Sequence, residues 1–193
     1  TSGCLDLIGP EKDILTPDLH CDEQIMAWCL DTYSMHARQT ESAVVLGKPE
    51  GLGGTLGRKD AVGRGLRVLI ERRREDMGLT GPAKIVVMGS GVIGSQVMRE
   101  LSTNGHMIIG VGDLRGGIHN PNGIDVEAVL DHRNKTGTVD GFSGGDAISE
   151  GELLRLECGV LVPAAVSKRM TGKNDGDIQA RMVAAAAHGP PRT

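Results

Sequence analysis

Three glycines followed by an aspartate have the residue types and the spacing that bind a dinucleotide. Gly89, Gly91 and Gly94 form the pattern G-x-G-x-x-G, and Asp113 lies roughly twenty residues further on. In such a motif the first glycine makes a tight turn, the second lets the backbone approach a pyrophosphate, and the third lets a helix pack on a strand. The helix N-terminus favours the negative pyrophosphate, and the aspartate accepts hydrogen bonds from the adenosine ribose.

The segments around this motif have the patterns of the strands and the helix that must position it. An apolar run over 84–88 precedes the glycines, and a second run over 107–111 ends just before Asp113. A helix-like stretch lies between them. A glycine-rich turn alone is also typical of an ordinary β-turn-α corner. The order of strand, glycines, helix, second strand and acid favours dinucleotide binding over that alternative.

Downstream, the alternation of strands and helices continues. We predict a helix over 125–132 and a buried parallel strand over 160–162. Between them, Ser149 and Glu152 form a capping box that marks the start of another helix. This pattern predicts an α/β fold with a doubly wound, parallel, Rossmann-like sheet. Ligands of such sheets bind outside the carboxyl ends of the strands, so we expect the glycines, the aspartate and residues 163–165 along one edge, the carboxyl rim.

Upstream of the motif, the sequence predicts two further helices with a glycine-rich loop between them. The first has apolar residues at a spacing of four over 25–33, which is typical of a core-facing stripe. The loop covers 47–57, and the second helix follows over about 58–77. That helix ends in the basic run 72–74, which we interpret as a solvated helix end rather than a phosphate site.

The composition argues against several other classes of protein. The chain has 193 residues, a net charge of −4 and one residue each of Trp, Tyr and Phe. It therefore lacks the basic face and the stacking aromatic side chains that are typical of nucleic-acid binding. Its four cysteines show no C-x-x-C spacing, so we expect reduced thiols rather than a metal site or disulfides. No apolar run reaches the roughly twenty residues that span a bilayer, and from the residues at the start of the sequence we expect no leader. We expect a protein of the cytoplasm or an organelle matrix that does not bind membranes.

Four blocks of the sequence, in order, resemble the glutamate dehydrogenases and their leucine, phenylalanine and valine dehydrogenase relatives. The blocks are 9–18, 47–65, 113–123 and 162–165. The resemblance extends over nearly all of 9–189. It implies three parts: a remnant of an N-terminal substrate and oligomerisation domain over 1–46, an interdomain loop and helix over 47–78, and a dinucleotide-binding Rossmann domain over 79–193.

The resemblance also implies an activity, the oxidative deamination of L-glutamate to 2-oxoglutarate and ammonia. A hydride passes from the α-carbon of the amino acid to a nicotinamide, and the imine that results is hydrolysed. We expect NAD as the cofactor because Asp113 repels a 2′-phosphate; pairing of that phosphate with Arg115 would make NADP the alternative. The expected partners are the amino acid, its 2-oxo acid and further copies of the chain in a homo-oligomer.

One catalytic carboxylate and a set of cofactor-binding residues are assigned through the resemblance. Asp18 matches the aspartate that moves protons at the substrate nitrogen, while a carboxylate in this position is also typical of a helix N-cap. The residues expected at the cofactor are Val62, Gly89, Gly91, Val92, Ile93, Gly94, Asp113, Ala164, Ala165 and His188.

The chain departs from the family pattern at three of these positions. The family usually has a threonine at Val62 and often an asparagine at Val92. His188 lies in an alanine-rich stretch that replaces an acid-glycine-alanine-asparagine pattern. The family's substrate-binding and catalytic lysines belong to a segment upstream of residue 9. We therefore expect a truncated member of the family, with a catalytically silent dinucleotide-binding module or a remnant as the alternatives.

Overall fold

The computed structural model describes residues 1–18, 21–165 and 175–186, and the chain divides into two compact units. The first unit is Thr1–Lys59 and the second is Asp60–Thr193. Each unit has its own core of buried apolar side chains. Among the described residues, no helix is long and apolar enough to cross a bilayer.

The first unit contains one long helix, α1 (Glu23–Ala37). The helix begins where the Asp22 side chain accepts a backbone hydrogen bond of 2.9 Å, and it ends at Arg38, whose φ of 56° is left-handed. The stripe predicted over 25–33 is core-facing, since Cys29 and Tyr33 pack against the core of this unit. That core consists of Ile8, Met26, Leu30, Val44 and Val45.

The glycine-rich loop over 47–57 bends as sharply as its sequence predicts. Gly47 and Gly53 have φ angles of 72° and 81°, which residues with a β-carbon rarely adopt. Lys48 is buried inside the loop and donates a hydrogen bond of 2.8 Å to the carbonyl oxygen of Val45. This contact stabilises the loop.

The second unit is an α/β domain. Its described helices and strands are α2 (Ala61–Asp76), β1 (Lys84–Met88), α3 (Val92–Thr103), β2 (Met107–Gly112), β3 (Gly117–His119), α4 (Val126–Thr136), β4 (Asp146–Ile148), α5 (Glu150–Leu154), β5 (Val160–Pro163) and β6 (Met182–Val183). They include both of the helices and the strand predicted downstream of the glycine motif, and α5 starts at the predicted capping box of Ser149 and Glu152.

The strands form one sheet in the order β4-β3-β2-β1-β5-β6. β1 is parallel to both β2 and β5, and β5 is parallel to β6, which confirms the Rossmann-like fold class. β3 and β4 are antiparallel additions at one edge, which the sequence did not predict. The turn that connects β2 to β3 is only four residues long, and such a short connection can produce only an antiparallel pair.

Helices cover both faces of this sheet, so it is doubly wound. Alternate side chains of β1 point to opposite faces, as in any strand. Ile85 and Val87 pack with residues of α3 and α4. Val86 and Met88 pack instead with Leu153 of α5. The apolar run over 84–88 is explained by burial on both faces.

Helix α2 packs along α3. A Cβ added at Gly63 would lie 2.8 Å from Cβ of Gln96, so the two helices meet closely where α2 has no side chain. One turn further along, the Arg67 side chain forms an ion pair of 3.2 Å with Glu100. After the C-terminus of α2, Gly78 lies in the left-handed region with φ 66°, a conformation that is typical of a helix stop.

The prediction of a solvated helix end at 72–74 is wrong for one of the three arginines. Arg74 is 5 % exposed, whereas Arg72 and Arg73 are exposed. Its guanidinium lies 3.4 Å from Glu71 and also donates to the carbonyl oxygen of Gly81. Arg74 lies four residues after the buried Ile70, on the same helix face, and this position explains its burial.

His106 completes this group of charges, here called the Arg74 network (Glu71, Arg74 and His106). Its Nε2 is 2.5 Å from Glu71, and its Nδ1 accepts a hydrogen bond of 3.1 Å from the backbone N–H of Ala83. Because Nδ1 accepts, the proton of the neutral ring is on Nε2 and points to the carboxylate. The network ties the end of α2 to the amino ends of β1 and β2.

Candidate functional site

The carboxyl rim exists as the sequence predicted. Met88, the last residue of β1, pairs with Gly112 of β2 on one side and with Pro163 of β5 on the other. Beyond the strand, the backbone N–H of Gly89 donates to the carbonyl oxygen of Gly112 at 2.8 Å. On the other side, the N–H of Ala164 donates to Met88 at the same distance. The ends of the three strands are therefore held together, and the glycine loop starts between them.

Two of the three glycines are required by the fold. Gly89 has a φ of 125°, and a Cβ there would lie 2.7 Å from the backbone of Ala164 and Ala165. A Cβ at Gly94 would collide with the carbonyl oxygen of Gly89. The first glycine thus permits the turn and the third permits α3 to start directly against that turn.

The middle glycine differs from the other two. Gly91 has an ordinary extended backbone, with φ −68° and ψ −166°, and a Cβ there would meet no atom within 4 Å. Gly91 is the N-cap of α3, and within the described ranges no side chain caps this helix end. The first N–H groups of α3 are therefore available to a ligand. Because Gly91 has no side chain, only its hydrogen atoms lie between these N–H groups and an approaching ligand.

Neighbouring side chains hold this loop in place. The Ser95 hydroxyl donates a hydrogen bond of 2.8 Å to the carbonyl oxygen of Gly91, and it lies 3.1 Å from the carbonyl oxygen of Ser90. Ile93 packs against the core of the sheet, while Val92 is 75 % exposed. The loop is therefore fixed from its helix side and open on its outer side.

Asp113 follows the last residue of β2 and is held by backbone amides. One carboxylate oxygen accepts hydrogen bonds from the N–H groups of Arg115 and Gly116, at 2.8 and 3.3 Å. The other accepts from Val139 at 2.7 Å. Burial alone would raise the pKa of Asp113, but these amides and the Thr138 hydroxyl outweigh it and lower the pKa below its ordinary value of 3.8. The carboxylate is therefore ionised at neutral pH.

A small recess lies beside Asp113 on the α5 side of the sheet. Its lining comes from the ends of β1 and β2, from the segment after β5 and from α5: Met88, Gly89, Gly112, Asp113, Glu150, Leu153 and Ala165. The recess therefore joins the first glycine, the aspartate and one of the two alanines that the resemblance assigned to the cofactor.

The remaining predicted residues lie elsewhere. Val62 is in the first turn of α2 and is 49 % exposed; the next residue, Gly63, packs on α3 one turn after its start. Asp18 is exposed in the first unit, and the N-cap of α1 is Asp22, so the capping interpretation of Asp18 is wrong for that helix. His188 lies outside the described residues.

Sequence reasoning missed two contributors to the rim. Glu150 lines the recess, and its position was readable from the capping box, which makes it the first residue of α5. The N–H of Val139 that binds Asp113 comes from the segment after α4, and no local pattern signals a contact with a residue so distant in sequence. In the described ranges, no three His, Cys, Asp or Glu side chains are grouped so as to hold a metal ion.

The sheet order, the glycine turn and the acid after β2 define the second unit as a Rossmann-like α/β domain. Comparison with known proteins gives the family. Residues 53–193 match the model of the Glutamate/Leucine/Phenylalanine/Valine dehydrogenase family, and the chain belongs to that family.

Curated relatives are similar over almost the whole chain. It is 39 % identical over 185 residues to the catabolic NAD-specific glutamate dehydrogenase RocG of Bacillus subtilis, covering 95 % of this chain and 43 % of the relative. It is 40 % identical over 185 residues to an NAD-specific glutamate dehydrogenase of Staphylococcus aureus, covering 95 % of this chain and 44 % of that one. The chain thus spans less than half the length of these relatives.

Solved structures agree with this assignment. The hetero-hexameric glutamate dehydrogenase of Thermus thermophilus, in a leucine-bound form, superposes with a TM-score of 0.89 at 36 % identity, over 97 % of this chain and 45 % of that one. The glutamate dehydrogenase of Peptoniphilus asaccharolyticus gives a TM-score of 0.73 at 26 % identity, over 99 % of this chain and 45 % of its own.

Proposed function

We propose that this chain is part of an NAD-dependent glutamate dehydrogenase, which deaminates L-glutamate oxidatively to 2-oxoglutarate and ammonia, and that its second unit binds the dinucleotide. The observation that carries the proposal is Gly91, an unobstructed N-cap in front of α3 at the carboxyl rim. The names of the relatives supply the cofactor and the substrate, since those from Bacillus and Staphylococcus are NAD-specific glutamate dehydrogenases.

The residues at the rim fit a dinucleotide. A pyrophosphate needs N–H donors and close backbone approach, and the start of α3 at Gly91 offers both. A ribose needs an acceptor, and the ionised carboxylate of Asp113 borders the adjacent recess. Three backbone amides and the Thr138 hydroxyl already contact this carboxylate, so a ribose hydroxyl would compete with the Thr138 hydroxyl for it.

On the nicotinamide side, the assignments rest on the family pattern. When bound, the dinucleotide would supply the acceptor for a hydride from the α-carbon of the amino acid. Asp18 would take a proton from the substrate nitrogen and return it to the leaving ammonia, as a general base and acid. Ala164 and Ala165 follow β5 at the rim and would line the nicotinamide side, together with Val62 and His188.

The division of labour along the chain follows the same pattern. Residues 1–46 would belong to the substrate and oligomerisation domain, 47–78 to the interdomain connection, and 79–193 to the dinucleotide-binding domain. The Thermus relative is hetero-hexameric. For this chain we propose a homo-oligomer in the cytoplasm, with glutamate and 2-oxoglutarate as its small-molecule partners.

A titration with NADH tests the dinucleotide site directly. The purified 193-residue chain should bind NADH saturably, with a change in nicotinamide fluorescence or a heat signal in calorimetry. The same protein, given glutamate and NAD, is then assayed for NADH absorbance. A chain that binds no NADH at all would refute the proposed function.

Where turnover is measurable, Asp18 is tested by substitution. Asp18→Asn should abolish turnover and leave the affinity for NADH unchanged, because the substitution removes the proton acceptor but no part of the second unit. Asp22→Asn is the matched control: it also removes a carboxylate from this segment, and asparagine caps a helix about as well as aspartate. Equal turnover in both variants would contradict a catalytic Asp18.

A second function, dinucleotide binding without turnover, is favoured by one observation. Val62 has an aliphatic side chain where the family pattern has a threonine hydroxyl that can meet the nicotinamide amide. Saturable NADH binding without turnover of glutamate by the assembled protein would support this silent module. The variant Val62→Thr restores that hydroxyl. Turnover of glutamate by this variant would then show that the missing hydroxyl is the reason for the silence of the module.

A further inference from the structure

The segment after α4 contacts the Asp113 carboxylate through two neighbouring residues. The backbone N–H of Val139 donates a hydrogen bond of 2.7 Å to one carboxylate oxygen. The hydroxyl of the preceding residue, Thr138, contacts the same carboxylate. Thr138 is 8 % exposed, so its hydroxyl is a buried polar group beside the acceptor that we propose for the ribose.

Hydrogen bonds within the same segment determine the role of the Thr138 hydroxyl. Its oxygen accepts a hydrogen bond of 3.1 Å from the backbone N–H of Asp140. The backbone of Thr138 is held as well, because the Thr136 hydroxyl donates to its carbonyl oxygen at 2.8 Å. A hydroxyl has one proton and two lone pairs. Since the amide of Asp140 uses a lone pair, the proton is left to donate, and the Asp113 carboxylate is the acceptor beside it.

Asp113 therefore accepts from four donors of the chain itself. Three are the backbone amides of Arg115, Gly116 and Val139. The fourth is the Thr138 hydroxyl, and two carboxylate oxygens offer about four lone-pair positions. The amides belong to backbone turns and keep their direction while the fold is intact, whereas a hydroxyl proton turns about a single bond. Thr138 is therefore the donor that another hydroxyl group can replace.

We infer that the Thr138 hydroxyl competes with the adenosine ribose for Asp113 and thereby sets the affinity of the chain for NADH; the inference rests on the proposed function. A ribose hydroxyl is the same kind of donor as the side chain of threonine. Binding therefore exchanges one O–H donor for another at the carboxylate, instead of adding a hydrogen bond to a charged group with a free position. The chain binds the ribose less tightly than a carboxylate held by the three amides alone would bind it.

The test removes the competing proton and keeps the shape of the side chain. Thr138→Val replaces the hydroxyl with a methyl group, so NADH should bind about fivefold more tightly in a calorimetric titration, as expected for one hydrogen bond of ordinary net strength. Thr138→Ser keeps the hydroxyl and should bind NADH as the unsubstituted chain does. Thr103→Val is the matched control, at the exposed C-terminal end of α3, and should leave the affinity unchanged.

A modified dinucleotide shows whether the effect is on the ribose. In dinucleotide-binding folds the acid after the second strand accepts from the 2′-hydroxyl of the adenosine ribose. NADH that lacks this hydroxyl should therefore bind equally to the unsubstituted chain and to Thr138→Val. The same gain in affinity for both forms of NADH would overturn the inference.

Titration of Asp113 gives a second readout. The Thr138 hydroxyl is one of the groups that lower the pKa of Asp113, so Thr138→Val should raise this pKa towards its ordinary value of 3.8. NMR of the carboxyl carbon measures the pKa directly. An unchanged value would mean that the hydroxyl does not donate to Asp113, and the inference would be wrong.

The titrations with NADH separate this inference from the proposed function. If NADH binds equally to Thr138→Val and Thr138→Ser, or more weakly to Thr138→Val, the inference is wrong while the proposed function stands. If no form of the chain binds NADH, the proposed function fails and this inference fails with it.

Discussion

The two ends of the parallel strands hold polar groups in opposite arrangements. At the amino ends, the Arg74 network satisfies its members within the protein: the guanidinium binds Glu71 and a carbonyl, and both nitrogens of His106 have partners. At the carboxyl rim, the N-terminus of α3 begins behind Gly91 with open space in front of it. Polar groups that are paired internally hold a fold together, whereas groups left available can bind a ligand.

The same contrast separates the glycines of the rim itself. Gly94 has no room for a Cβ because the Gly89 carbonyl oxygen occupies that position, whereas a Cβ at Gly91 would project into open space. Gly94 thus serves the fold, whereas for Gly91, three positions earlier, we propose a role in ligand binding. Substitutions can therefore separate stability from binding.

The largest effect is expected from Gly94→Ala. The new Cβ collides with backbone, which cannot move without displacing the end of β1, so we expect a loss of about 3 kcal/mol in the free energy of unfolding. Urea unfolding followed by circular dichroism measures it. Gly91→Ala should lose well under 1 kcal/mol. Similar losses in the two variants would remove the distinction between these glycines.

The next effect concerns the opposite end of the strands. Arg74→Met keeps the helix propensity and most of the side-chain volume but removes the charge. We expect a loss of about 2 kcal/mol in the free energy of unfolding. This loss is smaller than is usual for breaking a buried ion pair, because Glu71 is partly exposed. Arg73→Met is the control and should change the free energy of unfolding by less than about 0.5 kcal/mol, since its ion pair is exposed. Affinity for NADH should be the same in both; a loss specific to Arg74→Met would mean that the network also shapes the rim.

A smaller effect is expected from Gly91→Ala, and it concerns the free energy of NADH binding rather than that of unfolding. A methyl group at the N-cap of α3 obstructs the backbone approach of a pyrophosphate, so affinity for NADH should fall by about tenfold or more, or about 1.4 kcal/mol. Gly65→Ala is the control, because this exposed glycine of α2 also has open space around it. It should leave the affinity unchanged and stabilise the helix by about 0.5 to 1 kcal/mol. Undiminished NADH binding in Gly91→Ala would argue against a pyrophosphate at this loop.

Much of the second unit could be predicted from sequence because its signals are local. The apolar runs that became β1 and β2 are buried on both faces, and the glycine spacing fixes the turn between β1 and α3. β3 and β4 were missed because strands of three residues are too short to show a period, and β4 is largely exposed.

Arg74 and the recess show why the rest was harder. The run 72–74 looks uniformly solvated until the helix phase is followed from Ile70, which places Arg74 alone on the buried face. The recess depends on α5, β1 and β2 meeting in space, and no local pattern encodes that meeting. The motif therefore predicted where the candidate site lies, but its walls required the tertiary structure.

The smallest effect belongs to Asp113, which binds backbone amides in the fold and for which we also propose a role in ligand binding. Backbone amides lower its pKa below 3.8, so its carboxylate stabilises the folded state above that ordinary value, and the contribution is lost as the pH falls through the lowered pKa. Asp113→Asn should therefore cost about 1 kcal/mol near neutral pH, allowing for partial exposure, and the difference from the unsubstituted chain should vanish in acid. Asp146→Asn, at an exposed position of β4, should change stability by less than about 0.5 kcal/mol throughout. A difference for Asp113→Asn that persists unchanged in acid would show that the ionised carboxylate does not hold these amides.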